Sequence, residues 1–258
     1  GEPPEPTVGS VLAEVEHPAP PVSSQMPDAD AVLELYRLAA ASESLRDDVG
    51  LARRLAELSL ERAASAGETA DYAHAARDLE HLASLPVESD ELARVRYRLA
   101  HAYEGAGRND AVQAQLEAAV ATGTEGPFAL ESRFRLAETA FVAGDYAVAA
   151  DHYAEVADAT GTYRTHAAYM LGWARFKQGA SDRALAPLAQ ALDELYAEPD
   201  PDVAQQELLT DARRVMLIAL EYEGGIEALD GLMTALGDPS WNAALYRACL
   251  LYTSPSPR

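Results

Sequence analysis

The feature that most constrains this chain is a spaced set of leucine, glycine and small residues that returns three times. Counting from Leu171, the residues Gly179, Ala184, Leu188 and Ala191 fall at offsets 8, 13, 17 and 20. Leu136, Gly144, Ala149, Tyr153 and Val156 keep the same offsets, as do Leu99, Gly107, Val112, Leu116 and Ala119. Successive units start 37 and 35 residues apart. Self-similarity at such a period marks a chain of stacked supersecondary units, none of which can bury its apolar face alone. Apolar spacing inside each unit is helical, and no stretch alternates as a strand. Each unit therefore reads as two antiparallel helices joined at "GRN", "GDY" or "GAS". The glycine supplies the left-handed conformation that ends the first helix. Asn109, Asp145 and Ser181 are placed to cap the second.

Gly172 sharpens this reading. Glycine inside a helix costs up to about 1 kcal/mol against alanine, so a neighbour must need the missing side chain. Its equivalents are Ala137 and Ala100, and Ala149 and Ala184 are small on the facing helix. Close crossing of the two helices is expected at these positions. Two looser copies flank the three units. Val215, Ala228, Leu232 and Ala235 keep the 13, 17 and 20 spacing with Gly224 one place late; Leu55, Ala75, Leu79 and Leu82 form a copy with seven extra residues before its second helix. Ala31, Leu35 and Leu38 read as a lone second helix, and Trp241 to Ala248 as the first helix of a unit cut short.

Composition narrows function by exclusion. The chain has 258 residues, 42 acids against 20 bases and a formal net charge of -22. That field repels nucleic acid and anionic lipid, so neither is an expected partner. Hydrophobic residues make up 48% of the chain but aromatics only 7%, a mix suited to many closely packed helices rather than a thick core. No apolar run reaches the roughly 18 residues of a membrane span. No metalloprotease, nucleophile-elbow or phosphate-loop motif occurs, so no catalytic residue and no cofactor is expected. His74, Asp78 and His81 share a helix face, but two histidines seven apart lie about 10 Å from each other along the axis; a solvated surface is expected there rather than a metal site.

Residues 1–28 carry seven prolines and read as a disordered leader. Residues 29–248 form the repeat domain. Residues 249–258, "CLLYTSPSPR", are similar to a translated sequencing adapter, so the native chain is expected to read on past Ala248.

The repeat pattern resembles the tetratricopeptide repeat (TPR), carried most clearly by Leu171-Gly172 and by "AGDYAVAADHY" at 143–153. The resemblance implies an all-α, right-handed TPR-like α-solenoid of antiparallel helix pairs. "YMLGWARFKQGASDRALAPL" at 169–188, the proline-rich leader and "AVLELYRLAA" at 31–40 are in addition similar to large repeat proteins of the Gram-negative cell envelope, some of them associated with TonB-type systems. That similarity implies a periplasmic location, on the outer membrane's inner face where a lipid anchor lies upstream. A cytoplasmic adaptor, or a regulatory domain of a larger enzyme, are the alternatives.

The family's groove positions can be carried onto units starting at Ala93, Leu130 and Thr165. The first gives Arg94, Tyr97, Arg98, His101 and Glu104; the second gives Glu131, Phe134, Arg135, Glu138, Phe141 and Val142; the third gives His166, Tyr169, Met170, Trp173, Phe176 and Lys177. An aromatic recurs at the fifth position and arginine at the sixth, residue types that dominate binding hot spots. A protein or peptide partner is therefore implied on this face. The competing expectation is that the aromatics pack between neighbouring helices and that the arginines pair with local acids. Some family members clamp a peptide carboxyl end with lysine, arginine and asparagine. Here His101, Glu138 and Trp173 occupy the asparagine places, so capture of a peptide C-terminus is not expected.

Overall fold

The computed structural model describes residues 28–237 and 239–253, with side chains through Cys249. The proline-rich leader lies outside the described residues up to position 27, as do residues 254–258 of the adapter-like tail. Twelve helices and no strand occur among the described residues. α1 (Ala29–Ala40) stands alone. Five pairs follow: α2 (Val49–Ala66) with α3 (Thr69–Ser84), α4 (Ser89–Gly105) with α5 (Asn109–Val120), α6 (Pro127–Val142) with α7 (Tyr146–Asp158), α8 (Arg164–Lys177) with α9 (Ser181–Ala197), and α10 (Val203–Tyr222) with α11 (Ile226–Leu236). α12 (Asn242–Thr253) closes the series and runs across the boundary expected after Ala248. Each helix packs on its chain neighbours, which is the connectivity of the expected all-α solenoid.

The turns behave as the glycines require. Gly107, Gly144 and Gly179 take φ of +72°, +83° and +78°, the left-handed region where a side chain is strained. Close crossing at Gly172 is confirmed, with its partner corrected. A methyl built on Gly172 would sit 2.5 Å from Leu188 Cγ. The helix approach therefore serves a large leucine one turn beyond Ala184, the small residue expected to face it. Ala100 clusters in the same way with Leu116.

Capping needs two corrections. Asp145 caps α7, its carboxylate accepting from the Val148 amide. Asn109 and Ser181 instead sit inside their helices as first residues, behind Arg108 and Ala180, with no side-chain cap. α4 likewise starts at Ser89 after an uncapped Glu88.

The flanking units shift register. In α1, Ala31, Leu35 and Leu38 are exposed, Leu38 at 70%, while Leu33 is buried against Leu55 and Leu58. In α11 the buried residues are Leu229 and Met233, each one place after the expected Ala228 and Leu232. The cause is the double-glycine turn: Gly224 and Gly225 both take positive φ, and the extra residue rotates α11 by one position.

The apolar interior has two large parts and a seam. One cluster spans α2 to α4 and draws in Ala111 and Val112 of α5. The other runs from α6 to Cys249 in α12. Between them, among the described residues, Ala100, Leu116 and Leu136 form a small buried group, flanked by Tyr97, Val112 and Val120.

Candidate functional site

The first helices of successive pairs (α2, α4, α6, α8 and α10) form one face, and the sequence divides it. Its N-terminal half is a lattice of charge. Arg53 on α2 grips Glu91 on α4 through Nε and through Nη2, the latter at 2.7 Å, and Arg94 joins at 3.2 Å. The Arg53 hydrogen bond is the largest influence holding the Glu91 carboxyl below its ordinary range. Arg98 lies 3.9 Å from Glu57. Arg135 on α6 donates to both oxygens of Glu104 on α4, at 2.7 and 2.9 Å. Burial alone would lower the Arg135 pKa, but these bonds and the Glu104 charge raise it. Tyr97 donates its hydroxyl proton to Glu131 on the next first helix. These contacts tie repeat to repeat. Charge-assisted bonds to both oxygens of one carboxylate orient their partners strongly, so Arg135 is not an idle charge awaiting a ligand, while Arg98 is paired loosely with Glu57.

The C-terminal half is aromatic. Phe134 on α6 touches Tyr163 at 5.0 Å between ring centroids and His166 at 5.3 Å. His166 lies 6.2 Å from Tyr169. The indole nitrogen of Trp173 donates to the Tyr169 hydroxyl at 2.7 Å. Trp173 meets Phe176 edge-on at 5.8 Å, and Phe176 meets Tyr222 of α10 at 5.5 Å. The Lys177 ammonium lies 5.3 Å from the Trp173 ring centroid, a cation–π distance. Helix α8 organises this ribbon, because His166, Tyr169, Trp173, Phe176 and Lys177 recur at three- and four-residue spacing on one of its faces.

Burial sorts the sequence-derived candidates. Phe134 and Tyr169 are buried, 4% and 7% exposed, and act as the floor of the ribbon. Trp173 and Phe176 are half-buried, and His166, Lys177, Val142 and Tyr222 are exposed, the last two at 88% and 74%. His101 is exposed, edge-on to Tyr72 and 3.8 Å from Glu104. The expected groove residues thus fall into two separate surfaces. The packing expectation fits Phe134 and Tyr169, and the pairing expectation fits Arg98 and Arg135.

Glu138 stands at the boundary of the two surfaces. It is exposed and its carboxylate has no hydrogen bond or ion pair among the described residues; desolvation by the surrounding protein raises its pKa against the opposing charge of Arg135. Nearby, the Tyr153 hydroxyl is buried without a hydrogen-bond partner; burial, then the Glu138 charge, hold its proton on far above the usual phenol range. Tyr222, which closes the ribbon, was missed by sequence reasoning. It lies in the looser fifth pair, outside the three aligned units, and only the fold carries it to Phe176.

The helix-surface cluster at His74, Asp78 and His81 is otherwise engaged. Asp78 accepts from Ser59 at 2.5 Å, and His81 Nε2 lies 2.8 Å from the Arg46 carbonyl oxygen. Among the described residues no helix is long and apolar enough to cross a membrane.

No family model and no curated protein matches the chain. Among solved structures it is similar to BtubC (BKLC) from P. vanneervenii, with a TM-score of 0.51, 19% identity, and coverage of 89% of this chain and 92% of that one. It is also similar to the C-terminal part of a TPR repeat-containing protein from Cytophaga hutchinsonii, at a TM-score of 0.45, 15% identity, and coverage of 89% and 92%. The likeness at these identities is one of fold.

Proposed function

We propose that this chain is a non-enzymatic interaction scaffold that holds a protein or peptide partner on the face formed by its first helices, within the bacterial cell envelope on the periplasmic side. The observation that carries the binding reading is the aromatic ribbon. Seven rings, from Tyr163 to Tyr222, touch in sequence, and all but Tyr163, which sits in the turn before α8, are held on three packed first helices. A preformed surface of this kind loses little freedom on binding, which is the main penalty a flexible site must meet. Half-buried aromatics bordered by exposed Val142 and Tyr222 have the make-up of an interface centre. The envelope location rests on the sequence similarity of 169–188 and of the leader.

Site-specific photo-crosslinking tests the binding reading in the producing cell. A photoreactive residue at Val142 or Tyr222 should trap a discrete partner, and one at exposed Asp151 on α7 should not. Equal trapping from both surfaces, or none from the ribbon, overturns the proposal. Fractionation of the same cells tests the location, which fails if the protein stays in the cytoplasm.

A further inference from the structure

The ribbon's chemistry defines the class of segment it takes, an inference that rests on the binding reading above. The strip from Phe134 to Tyr222 offers ring faces and aliphatic surface, so it suits a side chain that is apolar along its length. The charges around it are not equivalent. Arg135 is engaged by both oxygens of Glu104, and Lys177 lies over Trp173. Glu138, one turn from Arg135 on α6, is exposed and is left without a hydrogen bond or ion pair among the described residues. Beside it the buried Tyr153 hydroxyl also lacks a partner. An exposed carboxylate without an ion pair, beside a strip of ring faces, offers an incoming cation a charge-assisted hydrogen bond. The ring faces add attraction for the same cation, and the chain's net charge of -22 draws it in.

We infer that the C-terminal half of the first-helix face binds a cationic, aliphatic peptide segment, with a lysine or arginine of the ligand on Glu138 and its flanking apolar side chains along Trp173, Phe176 and Tyr222. An acidic segment is rejected there, because Glu138 repels it and the nearby Arg135 is held by both oxygens of Glu104.

Three end-capped octapeptide pools test this, each with two fixed leucines and with the other positions filled by lysine and arginine, by serine and asparagine, or by aspartate and glutamate. Binding of the labelled pools to the full chain is read by fluorescence anisotropy at physiological salt. The cationic pool should bind tightest, and Glu138→Gln should weaken it about tenfold or more, the scale of a lost charged hydrogen bond. Glu198→Gln, an exposed acid beyond α9, should leave it unchanged and so separates local recognition from bulk charge. Circular dichroism of each variant confirms folding. If the serine or acidic pool binds best and Trp173→Ala abolishes that binding, the cationic assignment falls while the ribbon stands as a binding face. If Glu198→Gln weakens cationic binding as much as Glu138→Gln, the attraction is bulk charge and the assignment falls. If no pool binds, the assignment and the peptide-binding reading fall together.

Discussion

At the scale of single residues, a missing side chain and an unpaired carboxylate carry the most information. Gly172→Ala removes a helix-weakening residue, a gain of up to about 1 kcal/mol. It also puts a methyl 2.5 Å from Leu188 Cγ and 2.8 Å from Cδ2, in a core where Leu188 has no exposure. Overpacking of this kind costs about 1–3 kcal/mol, so the net result should be destabilisation, checked by urea denaturation with Leu188→Ala as the relieving second change. Gly172 was legible in the sequence as a close approach, because its helix propensity was wrong for its place. The identity of the neighbour was not, since a repeat alignment gives offsets along the chain but not which rotamer fills the gap. Glu138 and Glu91 should show opposite pH behaviour. Glu138 has a raised folded pKa, so its contribution to stability is full below the ordinary value of 4.5 and is lost as pH rises through the folded value. Glu138→Gln should therefore raise the melting temperature at neutral pH, and the gain should vanish as pH falls through the folded value to about 4.5. The Glu91 pKa is lowered, mainly by Arg53, so its contribution is present at neutral pH and lost as pH falls below that range. Glu91→Gln should lower the melting temperature at neutral pH and approach the parent in acid.

At the scale of elements, α9 contains a proline in its interior. Pro187 has no amide hydrogen for the Arg183 carbonyl four residues earlier. Arg175 of the paired helix α8 donates to that same carbonyl, at 3.1 Å. One helix thus supplies a bond that its partner cannot make for itself. A double-mutant cycle isolates the effect: Arg175→Met should cost about 1 kcal/mol in the parent and much less alongside Pro187→Ala, where the helix satisfies its own carbonyl. Additive losses in thermal melts would show that the contact does not stand in for the missing proline amide. The paired helices themselves were legible from the leucine, glycine and alanine offsets. Their caps were less so: Asp145 was identified correctly, but Asn109 and Ser181 lie one residue inside. A polar residue after a turn glycine fits either place, and the local backbone dihedral decides. In α1 the outward Leu35 and Leu38 misled the reading, because a lone helix has apolar residues on two faces and nothing in the sequence marks which face meets α2.

At the scale of the whole molecule, the stack is continuous but unevenly cored. The N-terminal cluster and the larger C-terminal one meet through Ala100, Leu116 and Leu136. Leu116→Ala should cost about 2–5 kcal/mol, as buried leucine truncations do, and should split the unfolding transition. Both tryptophans, Trp173 and Trp241, belong to the C-terminal cluster or pack on it. Their fluorescence should therefore follow only that half, while circular dichroism reports both. Coincident transitions in the variant would mean that the seam couples the halves by other contacts. The solenoid as a whole was readable from period alone, since each unit repeats the same demand for a neighbour. The division of the first-helix face was not, because it depends on which acid on one helix reaches which arginine on the next.

The slender seam gives the chain a mechanical character. Loaded from its two ends, a rod with a stiff segment on each side of a narrow waist yields at the waist first. Most of its early extension would be taken up at that junction, where the apolar group is three residues deep and the polar contacts of Arg135 with Glu104 and of Tyr97 with Glu131 remain as ties. The ring-lined surface from α6 to α10 lies on one side of that point, so it would keep its shape while the molecule lengthens, and a ligand seated there would be carried under tension rather than released by it.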